Sequence, residues 1–355
     1  MRHLERILAN GEIGGRTAQI IETGEVVCEE YPLRPLDEGE VRVRTVRSAI
    51  SPGTEMTFYG RDASNVYLHK RWDPRLRLFV KGRPSLEYPI VFGYRAAGEV
   101  VESRLADVPV GERLFGAWRH TEFTVLPAVK ARTQRLPPSL GWDDGVDLGQ
   151  MAPICLNGVV HAEGLHAGQP AVVFGAGPVG LITAQTVRAT GAITVVVVDR
   201  LASRLRIAAG LGLEPLDTTA VPDVAVALKR RFGADSISVA FECTGSTGGL
   251  NEAIRAVRRR GRVVALGFYQ GEAIGLNLGD EFHHNGVEIR CGQIGNIHVG
   301  WDRESLRDSS IRLAMEGRVV LGGLPRVTVP IEEVGRGFEA LRRPDEILQV
   351  AISYD

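Results

Sequence analysis

Hydrophobic and polar positions follow two different rhythms along this chain. From Thr17 to about Val129 the apolar runs are short and punctuated by turn residues. Val41-Arg-Val-Arg-Thr repeats with period two, and Tyr88-Pro-Ile-Val-Phe-Gly and Glu122-Phe-Thr-Val-Leu are further β-rich runs. This part is predicted to be mainly β. After Asp143, continuous apolar runs alternate with helical patterns, the signature of parallel strands covered on both faces. Strands are expected at Ala171 to Phe174, Thr194 to Asp199, Ile237 to Glu242 and Arg262 to Leu266, with helices at Pro178 to Thr190, Ser203 to Gly210, Val224 to Phe232 and Gly249 to Arg259. Further on, Glu304 to Glu316 and Ile331 to Leu341 read as helices and Leu348 to Ile352 as a closing strand. The stretch from Gly60 to Pro84 fits neither rhythm. It carries Arg61, Lys70, Arg71, Arg75, Arg77, Lys81 and Arg83 against Asp62 and Asp73, and reads as a helix or a loop.

The run Ala171-Val-Val-Phe-Gly175-Ala-Gly177-Pro178-Val179-Gly180 places G-x-G-x-x-G between an apolar strand and a helix. In that context the glycines permit a tight turn and close approach of backbone to a pyrophosphate, which the free N–H groups and positive end of the helix attract. The next strand ends in Asp199, about 20 residues further on, where a carboxylate can accept hydrogen bonds from the ribose hydroxyls of a dinucleotide. An acid there repels a 2′-phosphate and favours NAD. Arg200 or Arg204 can instead clamp that phosphate, which leaves NADP open.

With 355 residues the chain is long enough for two domains. Its 44% hydrophobic and 24% charged residues are those of a globular protein. A formal net charge of −1 gives no electrostatic case for a nucleic-acid or anionic-membrane partner. Four scattered cysteines form no C-x-x-C pair, so a reducing cytoplasm is the expected location. Met1 to Asn10 lacks the apolar core of a signal peptide, and no apolar stretch is long enough to cross a bilayer.

These residues together resemble the medium-chain dehydrogenase/reductase superfamily, the alcohol dehydrogenase-like proteins. Besides the glycine fingerprint, the carriers are Phe241-Glu-Cys-Thr244-Gly245, Ala265-Leu-Gly267, and Pro89-Ile-Val-Phe-Gly-Tyr-Arg-Ala-Ala-Gly98. The resemblance implies an α/β fold: a doubly wound parallel Rossmann sheet with an N-terminal, mainly β, GroES-like domain. The GroES-like domain would span residues 1–155, completed by about 300–355, and the Rossmann domain residues 156–299. It implies that Thr244, Gly267 and Gly292 join Gly175, Gly177, Pro178, Val179, Gly180, Asp199, Arg200 and Arg204 at the cofactor. Arg204 matches the basic residue that contacts the ribose in members using NAD, and Cys291-Gly292-Gln-Ile-Gly295 is similar to the run whose backbone approaches the nicotinamide amide. A homo-dimer or homo-tetramer acting on a small molecule is the expected assembly.

The departures from the family bear on the metal. Zinc-dependent members carry Cys-Gly-Thr/Ser-Asp where this chain has Ser51-Pro52-Gly53-Thr54-Glu55, and Gly-His-Glu where it has Gly93-Tyr94-Arg95. The third ligand position falls at Ile154 or Cys155, and the four-cysteine structural lobe is missing. Three protein ligands are needed for catalytic zinc, and at most one survives, so no zinc is expected and the resemblance is to a zinc-independent branch. The reaction centre is then expected at the vacated position. Tyr94 and Arg95 are candidate oxyanion donors, Thr54 matches the family's proton-relay hydroxyl, and Glu55 is a base or the partner of Arg95. His120 is a candidate base, with His161, His283 and His284 as rivals. The expected activity is NAD(P)-dependent hydride transfer with a secondary alcohol or ketone, including a sugar, polyol or cyclitol. Quinone or enoyl reduction on the same scaffold, and a non-catalytic NAD(H) sensor, are the alternatives.

Overall fold

The computed structural model describes residues 13–60, 63–163 and 168–355. The signal-peptide expectation for Met1 to Asn10, and Arg61 and Asp62 of the basic stretch, lie outside these residues. The chain divides into two units, Met1–Gly149 with Pro325–Asp355, and Gln150–Leu324.

In the second unit the strands Pro170–Phe174, Thr194–Asp199, Glu214–Asp217, Val239–Glu242, Arg262–Ala265 and Glu288–Cys291 form one parallel sheet. Numbered along the chain, their spatial order is 3-2-1-4-5-6, the doubly wound arrangement that binds dinucleotides where the order reverses. Val172, Val196, Ala240 and Val263 are buried at its centre. The helices between strands start where the sequence supplies a cap. Pro178 stands in the first turn of Pro178–Ala189, the Asp223 carboxylate accepts from the Val226 N–H to open Val224–Phe232, and the Ser246 hydroxyl does the same for Gly249 N–H at the start of Thr247–Ala256. That last helix ends earlier than its periodicity predicts. Val257 turns to extended geometry and Arg260 takes a left-handed φ of 55°, which turns the chain into Arg262–Ala265. Helix Arg303–Met315 lies in this unit.

The first unit is built on the long strand Glu40–Ala49. It pairs antiparallel with Ala96–Ser103 on one edge, and with Phe123–Pro127 and Val350–Ser353 on the other. A smaller sheet joins Gly14–Ile20 to Val26–Pro32 and Ile90–Val91. Its core includes Ile20, Ile50, Phe92, Phe338 and Ile352. The Ile331-to-Leu341 pattern resolves into a 3-10 turn, Ile331–Glu333, followed by helix Val334–Ala340. The basic stretch is neither helix nor open loop. A 3-10 turn, Val66–Leu68, leads into an antiparallel pair of Arg71–Asp73 and Leu78–Val80, with Trp72 opposite Phe79 and their ring centroids 5.0 Å apart. Two facing aromatic rings are the cross-strand contact that favours a hairpin over a helix here. Among the described residues no helix is long and apolar enough to cross a membrane.

Candidate active site

In the second unit, the residues expected at the cofactor gather at the carboxyl ends of the strands. Gly175 has a φ of 97°, and a Cβ on Gly180 would lie 1.7 Å from the Gly175 carbonyl oxygen, so the first helical turn can press onto the loop only with glycine there. Gly177 caps the helix, with Pro178 and half-buried Val179 in its first turn. Asp199 holds this loop in place. One carboxylate oxygen accepts from Ala176 N–H at 2.7 Å and the other from Leu201 N–H at 2.9 Å, tying the glycine turn to the start of the next helix. The Arg204 guanidinium sits near Gly177, 3.7 Å from where a side chain would begin. Burial lowers its pKa, partly offset by the Asp199 charge. Arg200 points to solvent.

Thr244 faces the same turn, its methyl and backbone N–H crowding the Cβ position of Gly175. Gly267 abuts Gly245, and Gly292 N–H donates to Ala265 O at 2.9 Å. The chain also places a residue here that the sequence reading left without a role. Glu242 ends the central strand fully buried. It accepts from Thr244 N–H at 2.6 Å, from Gly245 N–H at 3.2 Å, and from the hydroxyls of Thr244 and Tyr269. Burial raises the pKa of its carboxyl and these donors oppose the rise. An acid closing the otherwise apolar run Val239-Ala-Phe-Glu242 was the visible signal.

In the first unit, Glu55 N–H donates to Ser51 O at 2.9 Å, closing a turn that opens the 3-10 helix Glu55–Phe58. The turn folds the Glu55 side chain inward, where it is 2% exposed. Its Oε2 accepts from Ser51 N–H at 3.0 Å and meets His120 Nε2 at 3.1 Å, while its buried Oε1 has no hydrogen-bond partner. His120 is fully buried, and its Nδ1 lies 2.8 Å from Ser48 Oγ, which is 2.7 Å from the Tyr354 hydroxyl. Tyr94 donates its phenolic proton to Ser51 Oγ, and the Thr54 hydroxyl also reaches the phenol. Desolvation first, and then the charge of Glu55, raise the Tyr94 pKa, so the ring stays a neutral donor at neutral pH. Thr54, Glu55, Tyr94 and His120 therefore form one connected group, extended by Ser51, Ser48 and Tyr354.

Arg95 is held elsewhere. Fully buried, it is paired with Asp147, donates to Gln349 Oε1 at 3.1 Å and reaches Ile50 O at 3.3 Å. Arg326 flanks the same Asp147 at 3.4 Å. Glu55 is thus partnered by His120, not by Arg95, and the guanidinium expected as an oxyanion donor serves an ion pair. The rival histidines stand in the second unit. His161 Nε2 lies 2.8 Å from Asn296 O, and His283 and His284 stack on each other with ring centroids 5.3 Å apart.

Catalytic zinc requires three protein ligands around an open position. Among the described residues no group of three His, Cys, Asp or Glu side chains stands close enough to hold a metal ion. At the positions that match the family's zinc ligands, Ser51 or Pro52, Tyr94, and Ile154 or Cys155, the donors are few. Ser51 and Tyr94 offer neutral oxygens already bonded to each other, Pro52 and Ile154 offer no side-chain donor atom, and Cys155 is buried with its thiol donating to Val179 O at 3.4 Å. This donor set does not fit zinc.

A family profile described as zinc-binding dehydrogenase matches residues 178–299. D-guloside 3-dehydrogenase of Escherichia coli is 27% identical over 306 residues, covering 81% of this chain and 85% of that protein. Among solved structures, the 2R,3R-butanediol dehydrogenase of Bacillus subtilis superposes with a TM-score of 0.76 at 19% identity, covering 96% of this chain and all of the other. A zinc-binding dehydrogenase fold from Sinorhizobium meliloti, bound to NADP, gives 0.74 at 17% identity, covering 97% of this chain and all of the other. With the doubly wound sheet, its glycine turn and the β unit in place, the chain has the fold of the alcohol dehydrogenase-like medium-chain dehydrogenases/reductases, and its similarity to these proteins supports a nicotinamide-dependent oxidoreductase.

Proposed function

We propose that this protein is a dehydrogenase that prefers NAD and interconverts a secondary alcohol and a ketone on a polyhydroxylated small molecule, without zinc. The observation that carries this reading is the buried Glu55–His120 pair bonded into the hydroxyl cluster of Ser51, Thr54 and Tyr94. The reading is supported by the named activities of similar proteins, D-guloside 3-dehydrogenase and (R,R)-butanediol dehydrogenase.

Gly175, Gly177 and Gly180 would hold the pyrophosphate, and Asp199 with Arg204 the adenosine ribose. Bound NAD supplies the hydride acceptor. The chain's own groups must then manage the proton and the charge on the substrate oxygen. In oxidation the substrate O–H proton passes to the Glu55–His120 pair, entering at the unpartnered Glu55 Oε1 directly or through the Thr54 hydroxyl. The carbon–hydrogen bond breaks as hydride leaves and the carbonyl forms. In reduction the proton travels back to the new alkoxide oxygen, and the neutral Tyr94 phenol is the donor that steadies its charge, the work a metal does in relatives. A panel of polyols, sugar derivatives and their ketones, set against enones, with NADH followed optically, tests the class. Turnover confined to enones defeats it.

Two outcomes follow from the geometry. Purified protein is expected to hold well under one zinc per chain by elemental analysis and to keep its activity after chelation. A stoichiometric zinc lost together with activity would reverse that conclusion. The wild type is expected to show a higher kcat/KM with NAD than with NADP, and Asp199→Asn to lose roughly tenfold with NAD while changing little with NADP, because one charged acceptor for the ribose diol is gone. Equal use of NADP by the wild type would assign the choice to Arg200 or Arg204.

A further inference from the structure

In the second unit one side chain organises a loop that no part of the mechanism has yet used. Asn157 lies near the end of helix Met151–His161 and is fully buried. Its amide nitrogen reaches Gly292 O at 2.9 Å, Gln293 O at 3.2 Å and Asn296 O at 3.2 Å, so two N–H bonds are shared among three carbonyls. Its Oδ1 accepts from His298 N–H at 3.1 Å. The segment 292–298 is thus wrapped around a single amide. It is pinned further by His161 Nε2 on Asn296 O, by the Gln293 side chain on Leu266 O, and by His298 on Glu163. Gly292 comes so close to the helix that a Cβ on it would lie 3.0 Å from the Gly158 Cα.

This segment leaves the carboxyl end of Glu288–Cys291, the sixth strand in the 3-2-1-4-5-6 order. A dinucleotide on such a sheet places its adenosine half over the strands that lead to Asp199 and its other half over the strands on the opposite side of the reversal point. Loops at the ends of Val239–Glu242, Arg262–Ala265 and Glu288–Cys291 therefore receive the nicotinamide half, and 292–298 is one of them.

We propose that Asn157 is a positioning residue for the nicotinamide half of the cofactor: it sets the backbone of residues 292–298 in the shape that receives the ring and its carboxamide. The inference rests on the cofactor reading above and assigns Asn157 no contact with substrate. All four observed partners of the Asn157 amide are backbone groups of residues 292–298, so its loss acts first on that loop. The adenosine half, built on Gly175 to Gly180 and Asp199, stands apart from it.

The test compares NADH with ADP-ribose, which carries the adenosine half and no nicotinamide. In fluorescence and calorimetric titrations, Asn157→Ala is expected to weaken NADH about tenfold, as the loss of a buried hydrogen-bonded amide predicts, and to leave ADP-ribose within twofold of wild type. A parallel loss of both ligands, or no loss of either, overturns the proposal. If the variant does not fold, hydrogen exchange on the wild type decides. NADH should protect the amides of residues 291–298 beyond any protection given by ADP-ribose, and equal protection by the two overturns it. A wild type that binds neither ligand defeats the cofactor reading itself, a different failure from one in which ADP-ribose and NADH both bind and Asn157 is indifferent.

Discussion

Glu55→Gln lowers kcat by about 100-fold or more, with NADH affinity and melting temperature near those of the wild type. The substitution keeps the shape of the side chain and an acceptor oxygen for Ser51 N–H, but removes the negative charge that faces His120 Nε2. The glycine turn and Asp199 are built from other residues of the chain, so NADH binding is expected to be retained. His120→Asn is expected to fall by a similar factor and the double variant by little more, since residues acting as one proton-handling pair are not additive. Tyr94→Phe removes a donor to the developing oxyanion, for which a loss of about 100-fold is typical. Turnover by Glu55→Gln within threefold of wild type on the best substrate would place the proton transfer elsewhere.

The largest effect on stability is expected from Asp147→Ala. Arg95 and Asp147 are both fully buried and paired, and Arg326, also largely shielded, leans on the same carboxylate. Removing the acid leaves the Arg95 guanidinium without its counter-charge in a region that water does not reach, whereas Arg326 keeps Asp143 at 3.5 Å. Arg95 then keeps only the Gln349 and Ile50 oxygens. Breaking such a pair from one side costs about 3–5 kcal/mol, a fall of roughly 10 °C in the melting temperature of a unit this size. Replacing the pair together, Arg95→Met with Asp147→Leu, should recover most of the loss, because the cost lies in the stranded charge rather than in the missing attraction. A shift below 2 °C in the single variant, followed by thermal melts with and without NADH, contradicts this account.

How much of this was legible in the sequence depends on how far apart the cooperating residues stand. The central strands of the second unit read clearly, since Val195 to Val198 are buried on both faces and form an unbroken apolar run. Its two edge strands escaped: Glu214–Asp217 is mostly half-buried and Glu288–Cys291 mostly exposed, and each mixes charged with apolar residues over four positions, so no apolar run marks them. Helix Met151–His161 escaped for the opposite reason, being buried almost all round and therefore without a polar face to reveal its period. At the site, a local motif such as Gly175 to Gly180 carries its own geometry. Partners such as Glu55 and His120, or Arg95 and Asp147, are joined only by tertiary pairing of distant strands and helices. The sequence suggested Arg95 for Glu55 because both flank positions that match the family's zinc ligands. The fold instead turned Arg95 toward the helix Trp142–Leu148 and delivered His120 from the segment before Phe123–Pro127.

The return of residues 325–355 to the strand Glu40–Ala49 has a consequence for synthesis on the ribosome. The second unit is a single continuous stretch and can fold as soon as residue 324 clears the exit tunnel, whereas the first waits for a strand made only after the whole of the second. Until then the edge of Glu40–Ala49 that Val350–Ser353 will occupy is an unpaired template for other chains, and Ser48, at its end, lacks the hydroxyl of Tyr354. The nascent protein therefore owns a folded nucleotide-binding half before it owns a proton-handling one, and its period of greatest exposure to aggregation falls in the interval between them.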